Sequence, residues 1–243
     1  MTASQYTIAG TVITMPVQIR KANQHMAMFS VDADAAQQLI DYSGLRVCRY
    51  LPGRAIVVLM LVHYLDGDLG QYYEFGTSVM VNPPGSNASG PRALQSAGAF
   101  IHHLHVDQAF TLEAGTKIWG YPKVMADFTI REGRQFGFDC SVDGQLVIGM
   151  EFRRGLPIRL TPRQQAQRSY SHRDGVTRET AFEHTLDGVR TRFGGVRVRL
   201  GDHPYAKELA SLGLPKRAML SSSADQVQMT FGDAQEISCP QPK

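Results

Sequence analysis

Long apolar runs are absent: no stretch of the 243 residues approaches the ~20 consecutive apolar side chains a helix needs to cross a bilayer. Residues Met1 to Gln18 show no basic segment followed by an apolar one, so no secretory signal is expected. Cysteine is scarce. The three present, Cys48, Cys140 and Cys239, are far apart and odd in number. This argues against a disulfide framework and fits reduced thiols in a cytoplasmic protein. Net charge is small as well, +3 from 25 basic and 22 acidic residues, and offers no argument for a nucleic-acid partner. Repeats, heptads and an evident domain break are also missing.

What is present is a hydrophobic content of 43%, enough for a substantial core. Short apolar or alternating segments dominate, punctuated by Gly, Pro and Asp-Gly. Ala55–Tyr64, Tyr72–Val81, Phe100–Val106, Val124–Arg131, Phe136–Val142, Leu146–Phe152 and Val196–Leu200 read as strands. Their spacing suggests an antiparallel meander, with Val142-Asp143-Gly144-Gln145 as a hairpin turn. Helical pattern is rarer. One candidate is Asp32–Ser43, capped by Asp32 or Asp34 and stopped by Gly44. A second is Pro204–Leu212, with Asp202 as cap and Gly213 closing it. Residues 82–92 are a loop by composition. The expectation is a single β-rich α+β domain over residues 1–243, its mainly antiparallel strands forming a barrel or sandwich-like core with a few helices.

The informative stretch is Gly115-Thr-Lys-Ile-Trp-Gly-Tyr-Pro-Lys-Val124. Trp119, Tyr121 and Pro122 put Lys123 beside bulky groups, at the mouth of a strand beginning near Val124. A free lysine has a pKa of ~10.4, so only about one in 2,500 is neutral at pH 7. An amine must be neutral to attack a carbonyl. Lowering that pKa to ~6.5 takes about 4 units, or roughly 5 kcal/mol, and full burial can supply ~3–5 units. Standing alone, Lys123 reads as a surface lysine after a Tyr-Pro turn.

Gly115 with Tyr121-Pro122-Lys123 resembles the lysine motif of the acetoacetate decarboxylase family, in which G-R-E, three residues and Y-P-K-K carry the Schiff-base lysine. That enzyme is the standard illustration of a lysine activated by its surroundings. Other segments follow in the family's order. Leu69-Gly70-Gln71-Tyr72-Tyr73-Glu74-Phe75-Gly76 resembles the segment bearing an active-site glutamate, which makes Glu74 its counterpart. Leu104 to Asp107 resembles the strand before the lysine motif. Asp202-His203, Leu209, Leu212, Leu214-Pro215 and Ser221-Ser222-Ser223 resemble the C-terminal D-H, L-P and S-S-S pattern. The match runs from about residue 30 to 230.

The resemblance implies an acetoacetate decarboxylase-like fold, a cofactor-independent lyase acting on a small keto acid, and a homo-oligomer. Lys123 would attack the keto carbonyl, Glu74 would handle protons, and Tyr121 and His105 would face the substrate. Departures are clear too. The family's second lysine is Val124 here, the G-R-E triplet reads Gly115-Thr116-Lys117, and a second acidic position falls on Leu59. The arginine that contacts the substrate carboxylate is matched by Arg20 or Lys21 only after a shift of register. Two chemistries stay open on equal terms: decarboxylation of a β-keto acid such as acetoacetate, and aldol condensation with dehydration between pyruvate and an aldehyde. A non-catalytic ligand-binding relative that has lost the charged neighbours is the alternative.

His103, His105 and Asp107 alternate along a strand and would share one face, a possible metal trio, although imine chemistry needs no metal. His103 or His105 could instead carry protons to Lys123. Eleven arginines fall between Arg153 and Arg199, including Arg163, Arg168, Arg173 and Arg178. They suggest a solvated face, a subunit contact or anion attraction, and a subunit contact suits the resemblance. A nucleic-acid interface fits poorly, because recognition-helix pattern and interleaved aromatics are lacking. Ser221-Ser222-Ser223 has no partner pattern for a serine nucleophile. Trp119 reads as packing, and Asn87-Ala88-Ser89 carries no weight as a glycosylation sequon.

Overall fold

The computed structural model describes residues 3–158 and 161–238. A short hairpin, β1 (Gln5–Ile8) with β2 (Thr11–Thr14), leads into β3 (Val17–Asp32), helix α1 (Ala33–Ile40), β4 (Arg54–Gly67), β5 (Tyr72–Val81) and β6 (Gly98–Val106). Helix α2 (Ala109–Trp119) follows, then β7 (Lys123–Met125), β8 (Asp127–Arg131), β9 (Phe136–Val142), β10 (Gln145–Phe152) and the two-residue β11 (Leu156–Pro157). Next come β12 (Gln165–Arg173), β13 (Val176–Asp187), β14 (Arg190–Arg192), β15 (Val196–Leu200), helix α3 (Pro204–Ser211) and β16 (Leu220–Ile237).

Seven strands close into a barrel. β3, β4, β5 and β6 form an antiparallel meander. β6 runs parallel to β12 through Ala99 and Phe100, and β12, β13 and β16 continue antiparallel. β16 then pairs with β3, so the ring has no free edge at that seam. The later half of β6, which β12 does not reach, pairs in parallel with β7, setting Leu104 opposite Lys123. The two parallel contacts are departures from the expected meander. Both arise because α2 and the β8–β10 excursion bring the chain back to β6 along its original direction.

Side chains alternate across the barrel wall, so each strand serves two layers. Val57, Leu59 and Leu61 of β4 point outward and pack with Phe138, Cys140, Ile148 and Met150 of a second antiparallel sheet, β15-β10-β9-β8. Val62 and Tyr64 point inward with Leu104, Val106 and Tyr121. Each such side chain, fully buried, is worth about 1.5–3 kcal/mol. This two-sided demand explains the unbroken apolar run of β4.

Among the expected elements, β5, β9 and β15 fall on the anticipated residues, and the Asp143-Gly144 turn has both residues at positive φ, 50° and 74°. The Asp32 carboxylate accepts from the amides of Asp34 and Ala35 to start α1, and a short 3-10 turn ends at Gly44 with φ 70°. The cap of α3 is His203, not Asp202: its Nδ1 accepts from the Tyr205 amide, and Pro204 occupies the first turn. Val124–Arg131 is two strands, not one, because β7 and β8 belong to different sheets. Cys48 and Cys140 are buried thiols, and Cys239 lies outside the described residues. Among the described residues, no helix is long and apolar enough to cross a membrane.

Candidate active site

Lys123 owes its position to the end of α2. Gly120 takes the left-handed conformation, φ 64°, and its amide closes the helix onto the carbonyls of Gly115 and Thr116. Tyr121 then bonds back to the Gly115 carbonyl, and the Pro122 carbonyl accepts from Leu104 N–H. The side chain of Lys123 crosses α2 where residue 115 has no side chain. A Cβ there would lie 3.0 Å from Nζ and 2.7 Å from Cδ. Glycine inside a helix costs about 1 kcal/mol relative to alanine, and here it makes room for the amine.

Glu74 reaches the same point from β5, where its neighbours across the sheet are Val62 and Val106. Lys123 Nζ lies 2.7 Å from Glu74 Oε2, with only 3% and 12% of the two side chains exposed. Nζ also donates to Thr111 Oγ1 at 3.1 Å and sits 5.4 Å from the centre of the Tyr72 ring. The second oxygen of Glu74 accepts from the Tyr64 hydroxyl at 3.0 Å, and Tyr64 stacks on Tyr72 at 4.2 Å. Burial, with the charge of Glu74 close by, holds the phenols of Tyr64 and Tyr72 well above the usual tyrosine range. Both therefore stay protonated. The amine was expected among bulky apolar groups; its immediate partners are instead a carboxylate, a hydroxyl and an aromatic face.

Tyr121 is buried on the same inner side, with its hydroxyl 2.8 Å from Ser169 Oγ. Burial pushes its pKa up to about 12, against the opposing pull of the Ser169 hydrogen bond. Trp119 is packing, as expected: it is buried against Tyr121 and donates to the Gly232 carbonyl.

Other expected residues lie elsewhere. His105 projects from the outer face of β6, beside Phe75 and Tyr205, with the barrel wall between it and the inward-facing Leu104 and Val106. Burial, together with His103, draws its pKa down to about 3. Arg20 is half exposed and forms a double ion pair with Asp66 and Asp68. Alternation from the inward Val17 and Ile19 turns Arg20 outward, and the register shifts that follow bring Ala22 inward. Leu59 also faces outward, which removes the position where an acid was anticipated. The trio of His103, His105 and Asp107 does not assemble, because Asp107 is held by the Tyr73 amide and His103 by Glu208. A cleft of about 540 Å³ outside the barrel, lined by Arg134, Arg153, Arg154 and Arg190 among others, is separate from Lys123.

Tyr64, Tyr72 and Thr111 were not anticipated. Tyr64 and Tyr72 are register partners across the β4–β5 hairpin, so pairing the two expected strands would have found them. Thr111 is visible only once α2 is recognised.

The family model described as acetoacetate decarboxylase (ADC) matches residues 5–234. The chain belongs to the acetoacetate decarboxylase family. Solved structures share its fold. An acetoacetate decarboxylase structure superposes with a TM-score of 0.60 at 16% identity, covering 91% of this chain and 89% of that one. The acetoacetate decarboxylase of Legionella pneumophila gives 0.65 at 15%, covering 92% and 87%. MppR, an enduracididine biosynthesis enzyme solved with pyruvate, gives 0.66 at 18%, covering 93% and 92%. No curated protein matches the chain.

Proposed function

We propose that this acetoacetate decarboxylase family member is a Schiff-base-forming lyase for a small keto acid, with Lys123 as nucleophile and Glu74 as proton carrier. The observation that carries the proposal is the buried contact of 2.7 Å between Nζ and Oε2. That is hydrogen-bond reach for a base that must take a proton from the attacking group. Glu74 accepts one proton from the ammonium, and the neutral amine adds to the keto carbon. The carbonyl oxygen leaves as water with two protons, and a cationic iminium remains. The carboxylate beside it stabilises that charge in a site closed to water.

The iminium can then accept the electrons of an adjacent C–C bond, releasing CO2 and leaving an enamine. Alternatively Glu74 removes a proton from the neighbouring carbon, and the enamine attacks an aldehyde before water is lost. MppR has been solved with the condensation product of pyruvate and imidazole 4-carboxaldehyde, which keeps the second route open in this fold. Neither route calls for a cofactor.

Borohydride reduction in the presence of pyruvate or acetoacetate, followed by peptide mass mapping, should place a stable adduct on Lys123. No adduct across a broad keto-acid panel would overturn the proposal and leave a ligand-binding relative. CO2 release from acetoacetate, set against a conjugated product from pyruvate plus an aldehyde, separates the two routes. The proposal includes self-association in the cytoplasm. Leu156 and Phe193, 77% and 82% exposed within the arginine-rich segment, offer apolar contact area for a second copy. A concentration-independent monomer in sedimentation would refute that part.

A further inference from the structure

Adjacent residues of a regular strand point to opposite faces, yet His102 and His103 both turn to the outside of the barrel wall. The cause is a break in register: Thr77 pairs with His103 but Ser78 pairs with Ile101, so His102 is an extra residue in β6. Both imidazoles converge on one carboxylate oxygen of α3. His102 Nε2 lies 2.8 Å and His103 Nε2 2.7 Å from Glu208 Oε2. The ligand atoms of the three residues all lie within 4.8 Å of one another.

From this convergence we infer that His102, His103 and Glu208 form a binding site for a divalent transition-metal ion, Zn²⁺ by its ligand chemistry. Two imidazole nitrogens and one carboxylate oxygen are a three-ligand zinc set, with the fourth position left to water. Metal–ligand bonds of ~2.0–2.1 Å in a tetrahedron put ligand atoms about 3.3 Å apart. The two nitrogen–oxygen separations need to widen by about half an ångström, and the Glu208 side chain, 36% exposed on its helix, has room to move.

The surroundings suit the assignment. Tyr42 Oη lies 3.1 Å from Nδ1 of His102, the ring nitrogen that faces away from the carboxylate. With Nε2 on the metal, the proton moves to Nδ1 and is donated to the Tyr42 oxygen, so the tautomer changes with no net proton release. The Tyr205 ring, with its centroid 3.9 Å from that of His103, fixes the orientation of the second imidazole. An ion here would tie α3 to β6. The site does not depend on the lyase reading, since it occupies the opposite face of the wall from Lys123.

The test uses untagged full-length protein stripped with chelator, titrated with Zn²⁺ by calorimetry and with Co²⁺ by visible absorption. One equivalent per chain is expected, at least 100-fold weaker in Glu208→Gln and about 10-fold weaker in Tyr42→Phe. The unfolding temperature of the wild type should rise with Zn²⁺, and that of folded Glu208→Gln should not. Should Glu208→Gln fail to fold, His103→Gln takes its place, and X-ray absorption of the zinc-loaded wild type should show two imidazoles and only oxygen otherwise. The absence of stoichiometric binding overturns the inference. So does equal affinity in the variants or a sulfur ligand, and the cluster is then a carboxylate bridging two imidazoles.

Discussion

Replacing Gly115 with alanine puts a methyl group where the lysine side chain now lies. The new Cβ would stand 2.7 Å from Lys123 Cδ and 3.0 Å from Nζ, and closer still to Cε. Ordinary carbon contacts are ~3.5–4.0 Å, so the amine has to retreat by about 1 Å or the helix has to shift. Overpacking of this kind costs about 1–3 kcal/mol. Alanine returns about 1 kcal/mol as the better helix former. The net loss of stability is therefore small, about 0–2 kcal/mol. Chemistry should suffer far more, since about 1 Å of misplacement can cost a reacting group ~100-fold in rate. The assay is the rate of borohydride-trapped adduct with pyruvate, read beside a urea unfolding midpoint on the same preparation. A variant that traps within threefold of wild type would falsify the argument that Gly115 exists to seat the amine.

Three further outcomes follow from the same geometry. Lys123→Met leaves Glu74 buried and unpaired and should cost about 3–5 kcal/mol in urea unfolding, whereas the Lys123→Met/Glu74→Gln double variant should recover much of that loss; additive losses would contradict a coupled pair. Arg20→Ala should leave adduct formation unchanged, with any loss of stability vanishing at high salt; a lost adduct would return Arg20 to the site. His25, stacked on Phe136 at 3.7 Å, has its pKa lowered to about 4 by burial. Between the unfolded value of ~6.5 and that point the unfolded chain binds the extra proton, so stability falls as pH drops through this window, by at most about 3 kcal/mol. In His25→Phe the fall between pH 7 and pH 4 should shrink, and an unchanged fall would contradict this account.

The parts of the fold legible in the sequence are those governed by local chemistry. Asp32 and Gly44 bound α1 and its following turn because capping and left-handed termination act within a few residues. Helix α2 escaped notice because Gln108 offers no side-chain cap and β-branched Thr111, Thr116 and Ile118 dilute the helical signal. The long strands β3 and β16 escaped for another reason. Their alternation is interrupted by register shifts near Lys21 and between Ala224 and Val227, and a period-two pattern does not survive such breaks. A similar interruption in β6 bears on the histidines near the site. Arg20 was offered by resemblance in a shifted register, and alternation from the inward Ile19 turns it outward, while the bulge at His102 put a histidine pair, not a His103–His105 pair, against an acid. Lys123 and Glu74 were readable through the shared order of their segments, while Tyr64 and Thr111 depend on which strand and helix meet.

The seam between β16 and β3 also sets an order of events during synthesis. β3 must wait for β16 to leave the ribosome before the ring can shut. Lys123 and Glu74 belong to β7 and β5, both made well before that strand. The two charges can therefore find each other while water still reaches the inner wall, when bringing them together costs least. The last strand to arrive then adds Ala224, Val227 and Met229 to the inner layer around them.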